Sequence, residues 1–461
     1  MNSSKPPRKP LQIIVIGAGL AGCTAAYIFS TRNHAVQILE SRPDHASLYR
    51  GTGIMLRPNA TRILSSPAFN LSNALAPVVD TSASTAIYRL DTGQLVTGRT
   101  AINVSTFPDW GVGRDEALRV LYSAAVEVGA HLQFGAVVES INEVERTGES
   151  AVKVRLQDGK VLEADLVLDA SGAHSKLRRG ILRDIGRPDV DATVVDGTAY
   201  AFKVPVARLR ESTITRELLD STDLNVWMGG SERYVVGRYQ TTANEYHFLF
   251  FVSDESAAET GMDRRLWDGA GDVAHVREAY RGKCCAALWE CLGMVEKCER
   301  WRLSEMPDLE RWASRSGRVL LCGDSAHAML PNAAQGFSQI VEDVGVLDYL
   351  LHGESRLMSW RVGEVVKLWE KARIPRVARV KAFARWNTDA FRGVLRFHRR
   401  QNEGEQGPGE RTVVDLRDVM QDENADFSSG TFLKWVMDFD AIEEARRFVD
   451  REVVNSDKAK L

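Results

Sequence analysis

Three glycines spaced as Gly17-x-Gly19-x-x-Gly22 stand between an apolar run, Leu11-Gln-Ile-Ile-Val-Ile16, and a stretch of small residues. Between a strand and a helix, that spacing has a definite chemistry. Gly17 permits a tight turn, Gly19 lets the main chain approach a pyrophosphate, and Gly22 lets the helix pack close to the strand. The helix then aims its N-terminal N–H groups at the anion. Glu40 closes the next apolar run, Ala35-Val-Gln-Ile-Leu39, where a carboxylate can accept hydrogen bonds from an adenosine ribose, and Arg42 is grouped with it. The segment is read as dinucleotide-binding rather than as a purely structural glycine turn.

A second constellation decides which dinucleotide. Val319-Leu-Leu-Cys-Gly-Asp-Ser-Ala-His-Ala-Met-Leu-Pro-Asn-Ala-Ala-Gln-Gly336 places a Gly-Asp pair after an apolar strand, and Pro331 and Gly336 just before a helix. Asp324 is positioned to accept hydrogen bonds from ribityl hydroxyls. The helix opening at Gly336 and Phe337 can turn its positive end toward the N1–C2=O edge of a flavin, which is anionic there when reduced. The expected cofactor is FAD. The GxGxxG pattern does not recur, so NADH or NADPH is expected to bind only transiently, over the FAD domain.

The elements that must position these residues follow from the patterning. Residues 1–40 read as strand, turn, helix and strand. Short strands follow at His131–Phe134, Val137–Val144, Val152–Leu156 and Val161–Leu168, with Asp158-Gly159 as a hairpin signal. From about 185 to 310 the strands lengthen, as in Tyr234–Tyr239 and Tyr246–Val252. A buried strand over Gly317–Cys322 then returns, and the remainder is mostly amphipathic helix. Residues 403–410 read as a flexible loop. The expected class is α/β: a Rossmann-type FAD-binding domain (1–184 and 311–385), an inserted mixed β-sheet substrate domain (185–310) and a helical C-terminal region (386–461). A length of 461 residues accommodates these units.

Composition sets bounds on partners. A formal net charge of -3 gives no global reason to expect nucleic acid. Met1 to Pro10 is polar and basic, without the apolar core of a cleaved signal peptide. No window reaches the roughly 18 apolar residues that span a bilayer, so a soluble, cytoplasmic protein, monomer or homodimer, is expected. The cysteines Cys23, Cys284, Cys285, Cys291, Cys298 and Cys322 form no CxxC and read as buried reduced thiols, with Cys284 to Cys298 on one helix and no metal site. Trp227 and Trp289 are read as buried structural residues, an aromatic pocket wall being the other role.

On these motifs the chain resembles the class A flavoprotein monooxygenases, the group of salicylate hydroxylase and 4-hydroxybenzoate hydroxylase, especially their fungal biosynthetic members. The resemblance runs over about residues 11–385, with a looser echo in Phe432-Leu-Lys-Trp-Val-Met-Asp-Phe-Asp440. It implies that Gly51-Thr-Gly-Ile-Met-Leu-Arg-Pro-Asn-Ala60 passes beneath the isoalloxazine, with Arg50 and Gly53 on the cofactor. Arg114 is similar to the family arginine that neutralises the pyrophosphate. One departure stands out: in Asp169-Ala-Ser-Gly-Ala-His-Ser-Lys-Leu-Arg178, Ser171 occupies the place of an expected Asp tied to flavin and nicotinamide contacts. The implied reaction uses NAD(P)H and O2 to hydroxylate or epoxidise an aromatic, indole- or alkaloid-like small molecule through a C4a-(hydro)peroxyflavin, in natural-product biosynthesis. Tyr239 and Lys203 are the catalytic candidates in the substrate domain, with core packing the other role for Tyr239. A flavin dehydrogenase or oxidase without oxygen insertion is the main alternative. A halogenase lacks its Trp-x-Trp-x-Ile-Pro, and a flavin-loaded binding protein is the non-enzymatic reading.

Overall fold

The run at 11–16 becomes the strand Gln12–Ile16, central in a parallel five-stranded sheet. The order is Val319–Leu321, Leu166–Asp169, Gln12–Ile16, Ala35–Leu39, His131–Gln133. A strand flanked on both sides and covered on both faces favours continuous β-branched apolar sequence over alternation. The helix Leu20–Thr31 packs on this sheet and is buried from Leu20 to Ser30, with small residues from Ala21 to Ala26 and larger apolar ones at Tyr27, Ile28 and Phe29. The computed structural model describes residues 8–49, 51–82, 84–101, 105–146, 149–229, 233–253, 267–391, 427 and 430–458. The segment 403–410 and Arg50 lie outside them.

The expected strand Val161–Leu168 is two strands. Val161–Ala164 completes an antiparallel hairpin sheet, whereas Leu166–Asp169 joins the parallel sheet. Asp165 makes the break, its carboxylate accepting the Gln12 N–H at 2.8 Å. A period-two pattern runs through such a break without a mark. The hairpin turn itself falls at Asp158-Gly159, with Gly159 at φ +87°.

The second layer is an eight-stranded mixed sheet. Its order is Trp267–Gly271, Cys298–Glu305, Thr193–Pro205, Glu245–Val252, Arg233–Gln240, Leu224–Met228, Ser84–Arg89, Leu95–Ala101. Two of these strands come from within the 1–184 segment, so the sheet is not built from 185–310 alone. A small antiparallel sheet, Gly53–Leu56, Asp109–Gly113 and Val79–Ser82, lies between the layers. The helices Gly336–Asp348, Val362–Phe391, Gly430–Met437 and Ala441–Lys458 close the molecule. Among the described residues no helix is long and apolar enough to cross a membrane.

The cysteines are not on one helix. The helix Ala286–Gly293 carries only Cys291, Cys285 precedes it, and Cys298 opens a strand. All six are free, and burial pushes the Cys23 thiol up to about 12. Trp227 is buried and stacked on Tyr88 at 5.4 Å, whereas Trp289 is exposed, contrary to its expected burial.

At the end of the parallel sheet remote from the glycine turn, His34 Nδ1 accepts the Leu11 N–H at 2.9 Å. Its Nε2 therefore carries the proton and donates to His352 Nε2 at 2.8 Å, and His352 Nδ1 donates to Asp348 at 3.0 Å. Burial, then His352, holds His34 down to about 4. A folded value below the unfolded 6.5 means protonation favours unfolding. The stabilisation is complete above about pH 6.5 and drains away as pH falls toward 4, at up to about 1.4 kcal/mol per pH unit. Urea midpoints measured across this window should fall more steeply for the wild type than for His34→Gln. Equal slopes would contradict this account.

Candidate cofactor and substrate site

Gly17, at φ +97°, turns the chain out of the first strand while its N–H donates to Leu39 O at 2.8 Å. A Cβ there would lie 2.6 Å from Ala170 O, so the turn demands glycine twice over, by dihedral and by space. Beyond it opens a cleft of ≈ 1040 Å³ whose walls include Gly17, Gly19, Glu40, Arg42, Arg114, Asp324, Gly336 and Phe337. Four segments far apart in sequence thus meet in one cavity. Gly22 sits behind it, packed on Gly17 O and Val15.

Glu40 is buried and fixed. Its Oε2 accepts the Ala18 N–H at 2.8 Å and its Oε1 the Arg42 N–H at 2.9 Å. Oε1 also accepts from the Ser41 hydroxyl at 3.3 Å, which leaves the free lone pair for a hydroxyl donor in the cleft on Oε2. Arg114 opens the helix Arg114–Glu127 and packs against Gly51, whose Cβ would meet Arg114 Cδ at 2.9 Å. Burial lowers the Arg114 guanidinium from its ordinary value, Asp324 pulls it back up, and Arg42 repels it. Two guanidiniums and a helix N-terminus facing one space are complementary to an anion. Asp324 begins a one-turn helix and is exposed into the cleft.

At the other end, Pro331–Ala333 form a 3-10 turn, Ala334 takes the left-handed conformation at φ +50°, and the helix Gly336–Asp348 starts with open space beside Gly336. A non-glycine residue held there is stored strain of the sort found at ligand sites. The carboxylate acceptors, the anion-complementary middle and the free helix N-terminus fit an extended dinucleotide flavin. Gly53 opens the strand Gly53–Leu56 outside that cleft, and its neighbour Ile54 lines it. Ser171 lines the cleft, but its N–H and hydroxyl both donate to Asp169, at 2.9 and 2.5 Å.

The two substrate-domain candidates part company. Directly opposed residues in neighbouring strands share a face. Register pairs Lys203 and Arg238 with His247, and Tyr239 with Tyr246. Arg238 reaches Met55 Sδ at 3.2 Å and Asp80 O at 2.7 Å, so the Lys203/His247/Arg238 face is the one turned to the cofactor layer. Tyr239 is on the opposite face, packed with the Trp227 and Phe248 core. Period-two alternation puts it there, and the substrate-facing expectation is corrected to packing. Lys203 is on the inner face but donates to Asp115 Oδ2 at 2.9 Å, beside Arg114. Burial opposes its charge, yet Asp115 and Glu245 raise it above its ordinary value. It is a cation joining the sheet to the Arg114 helix.

Sequence reasoning missed what lies behind the helix Gly336–Asp348. Glu342 accepts from Arg373 at 2.6 Å, Arg376 at 3.0 Å and Asn59 at 2.6 Å; Asp343 accepts from Arg373 at 2.9 Å and is bonded to His327 at 2.7 Å. Burial raises both carboxyls, but the guanidiniums and His327 hold them below the usual range. Consecutive Glu-Asp in a buried helix was the available signal. Arg376 also bonds Val436 O at 2.9 Å and stacks on Trp435 and Phe439. The Phe432–Asp440 segment is thereby held against this helix. An apolar layer then joins Ala199, Tyr234 and Phe251 of the inner face to Leu330 and Ala333 of the turn and to Phe383, Phe432 and Val436.

Comparison with known proteins agrees with this geometry. The sequence model of the FAD binding domain family matches residues 10–356. The FAD-dependent monooxygenase OpS4 of Beauveria bassiana is 27% identical over 391 residues, covering 82% of this chain and 86% of that protein. Salicylate hydroxylase of Pseudomonas putida is 27% identical over 395 residues, covering 83% of this chain and 85% of its own. Among solved structures, a salicylate hydroxylase substrate complex superposes with TM-score 0.73 at 20% identity, covering 95% of this chain and 98% of that one. CtdE in complex with FAD and substrate 4 gives 0.74 at 19%, covering 96% and 100%.

Proposed function

The chain belongs to the FAD binding domain family, and we propose that it is a single-component monooxygenase. It uses NADH or NADPH and O2 to hydroxylate or epoxidise an aromatic or indole-like small molecule of natural-product metabolism, working in the cytoplasm as a monomer or homodimer. The observation that carries this reading is the meeting, at Leu330–Gly336, of the cofactor cleft with the apolar layer from the sheet and the C-terminal helices. Bound flavin supplies electron storage and oxygen activation, which no side chain provides.

The protein's part is binding, orientation and exclusion of water. Glu40 receives the adenosine ribose. Arg114, Arg42 and the N-terminus of Leu20–Thr31 take the pyrophosphate, and Asp324 takes ribityl hydroxyls. The N-terminus of Gly336–Asp348 favours negative charge at the flavin end. The apolar layer keeps water from the place where oxygen is transferred. Arg238 and His247, buried on the inner face, lie against Met55 and Gly53 of the strand Gly53–Leu56 and replace Tyr239 as substrate-side candidates.

With a true substrate, NAD(P)H oxidation should accelerate and match oxygenated product one to one. Without it, oxidation should be slow and end in hydrogen peroxide. Substrate that is oxidised with no gain of oxygen would replace this reading with the dehydrogenase or oxidase alternative.

A further inference from the structure

The turn Leu330–Gly336 is tied down at one side chain. Asn332 Oδ1 accepts from the Tyr234 hydroxyl at 3.1 Å, and Asn332 Nδ2 donates to Thr388 Oγ1 at 2.9 Å. Thr388 commits its own proton to Ala384 O at 2.8 Å, so its lone pair is what faces Asn332. The Asn332 carbonyl accepts from Asn387 Nδ2 at 3.0 Å. Tyr234 belongs to the inner face of the eight-stranded sheet, and Asn387 and Thr388 to the helix Val362–Phe391. Both anchors are packed away from solvent: Tyr234 is fully buried and stacked on Phe251 at 4.6 Å, and Thr388 is buried.

Asn332 is thus the point where the sheet, the cofactor turn and the C-terminal helix are bonded together. Two residues later Ala334 sits in the left-handed region, and two after that the helix facing the cleft begins. A strained turn keeps its conformation only while its surroundings over-determine it. We propose that Asn332 is a positioning residue that fixes the flavin end of the cleft at a set height over the substrate sheet, and so governs how efficiently reducing equivalents reach product. This rests on the monooxygenase reading. Nothing in the arrangement requires Asn332 to touch substrate or cofactor, and the adenosine end of the cleft is remote from it in the chain.

The test compares wild type, Asn332→Ala and Tyr234→Phe, the last removing one hydroxyl and keeping the ring stack. Visible circular dichroism of the bound flavin, with its midpoint potential, reads the cofactor's setting independently of turnover. Product formed per NAD(P)H reads coupling. Asn332→Ala loses two side-chain hydrogen bonds and should lower that ratio about tenfold, and Tyr234→Phe, which loses one, should lower it less. The dichroism should change in the same order, with the KM for NAD(P)H and FAD affinity unchanged. Unaltered dichroism, potential and coupling in Tyr234→Phe and Asn332→Ala would overturn the proposal, as would an Asn332→Ala defect confined to FAD affinity. A wild type that yields no oxygenated product would instead sink the monooxygenase reading, and the dichroism would still decide the role of Asn332.

Discussion

Gly22→Ala is expected to give protein that purifies colourless and takes up FAD at least about 100-fold more weakly. The added Cβ would lie 1.9 Å from Gly17 O and 3.3 Å from Val15 Cγ1. The first of these is main chain, so the helix must move off the strand and its N-terminal N–H groups leave the pyrophosphate. Two charge-assisted hydrogen bonds of about 1.5–3 kcal/mol each account for a loss of that size, at tenfold per 1.4 kcal/mol. Gly19→Ala is the informative contrast. Its φ is −77° and no atom lies within 4 Å of a Cβ there, so the apoprotein should melt like wild type. It should still bind FAD more weakly, because the methyl enters the space the pyrophosphate needs. Isothermal titration of FAD into both apoproteins, with their melting curves, checks the pair. Wild-type FAD affinity in Gly22→Ala would remove the glycine turn from the cofactor site.

Arg373→Met should be the most damaging change away from the cleft. The guanidinium holds Glu342, Asp343 and Gln339 Oε1 within 2.9 Å in a region closed to water. Methionine fills much of the volume and leaves two buried carboxylates short of positive charge. Breaking a buried pair in this way costs about 3–5 kcal/mol, because the unpaired charge remains behind. The sign of its pH dependence is specific. Without Arg373, Arg376 and His327 are left to offset burial, so the folded values of Glu342 and Asp343 move up from those of the wild type, and protonation relieves part of the penalty. The deficit against wild type in urea midpoint should therefore narrow as pH falls through the carboxyl range. A deficit that is small, or constant with pH, would show that the network does not stabilise the helix Gly336–Asp348.

How much of this was legible in the sequence depends on whether the signal was local. Gly17, Gly19, Gly22 and Glu40 declare themselves because the turn, the helix and the strand that use them are contiguous. Asp324 and Gly336 do so for the same reason, and the cleft brings both sets together with Arg114. Tyr239 failed because a strand's alternation says that two faces exist but not which one meets the cofactor; that was fixed by Arg238 reaching Met55 and Asp80. The ion pair that holds Lys203 was not legible because its partner, Asp115, is 88 residues away. The strands Ser84–Arg89 and Leu95–Ala101 carry no mark of the sheet they join, since Ser84–Arg89 pairs with Leu224–Met228, far along the chain. The bonds from Tyr234 and Thr388 to Asn332 are non-local in the same sense.

The central claim is that this cleft serves transfer of oxygen from O2 to a small aromatic molecule. Turnover of a coupled substrate under ¹⁸O2 in unlabelled water, with early product read by mass spectrometry, tests it most directly. The account predicts one labelled oxygen atom per molecule of product, in step with NAD(P)H consumed. Oxygen drawn only from water, or a product that gains none, would contradict it.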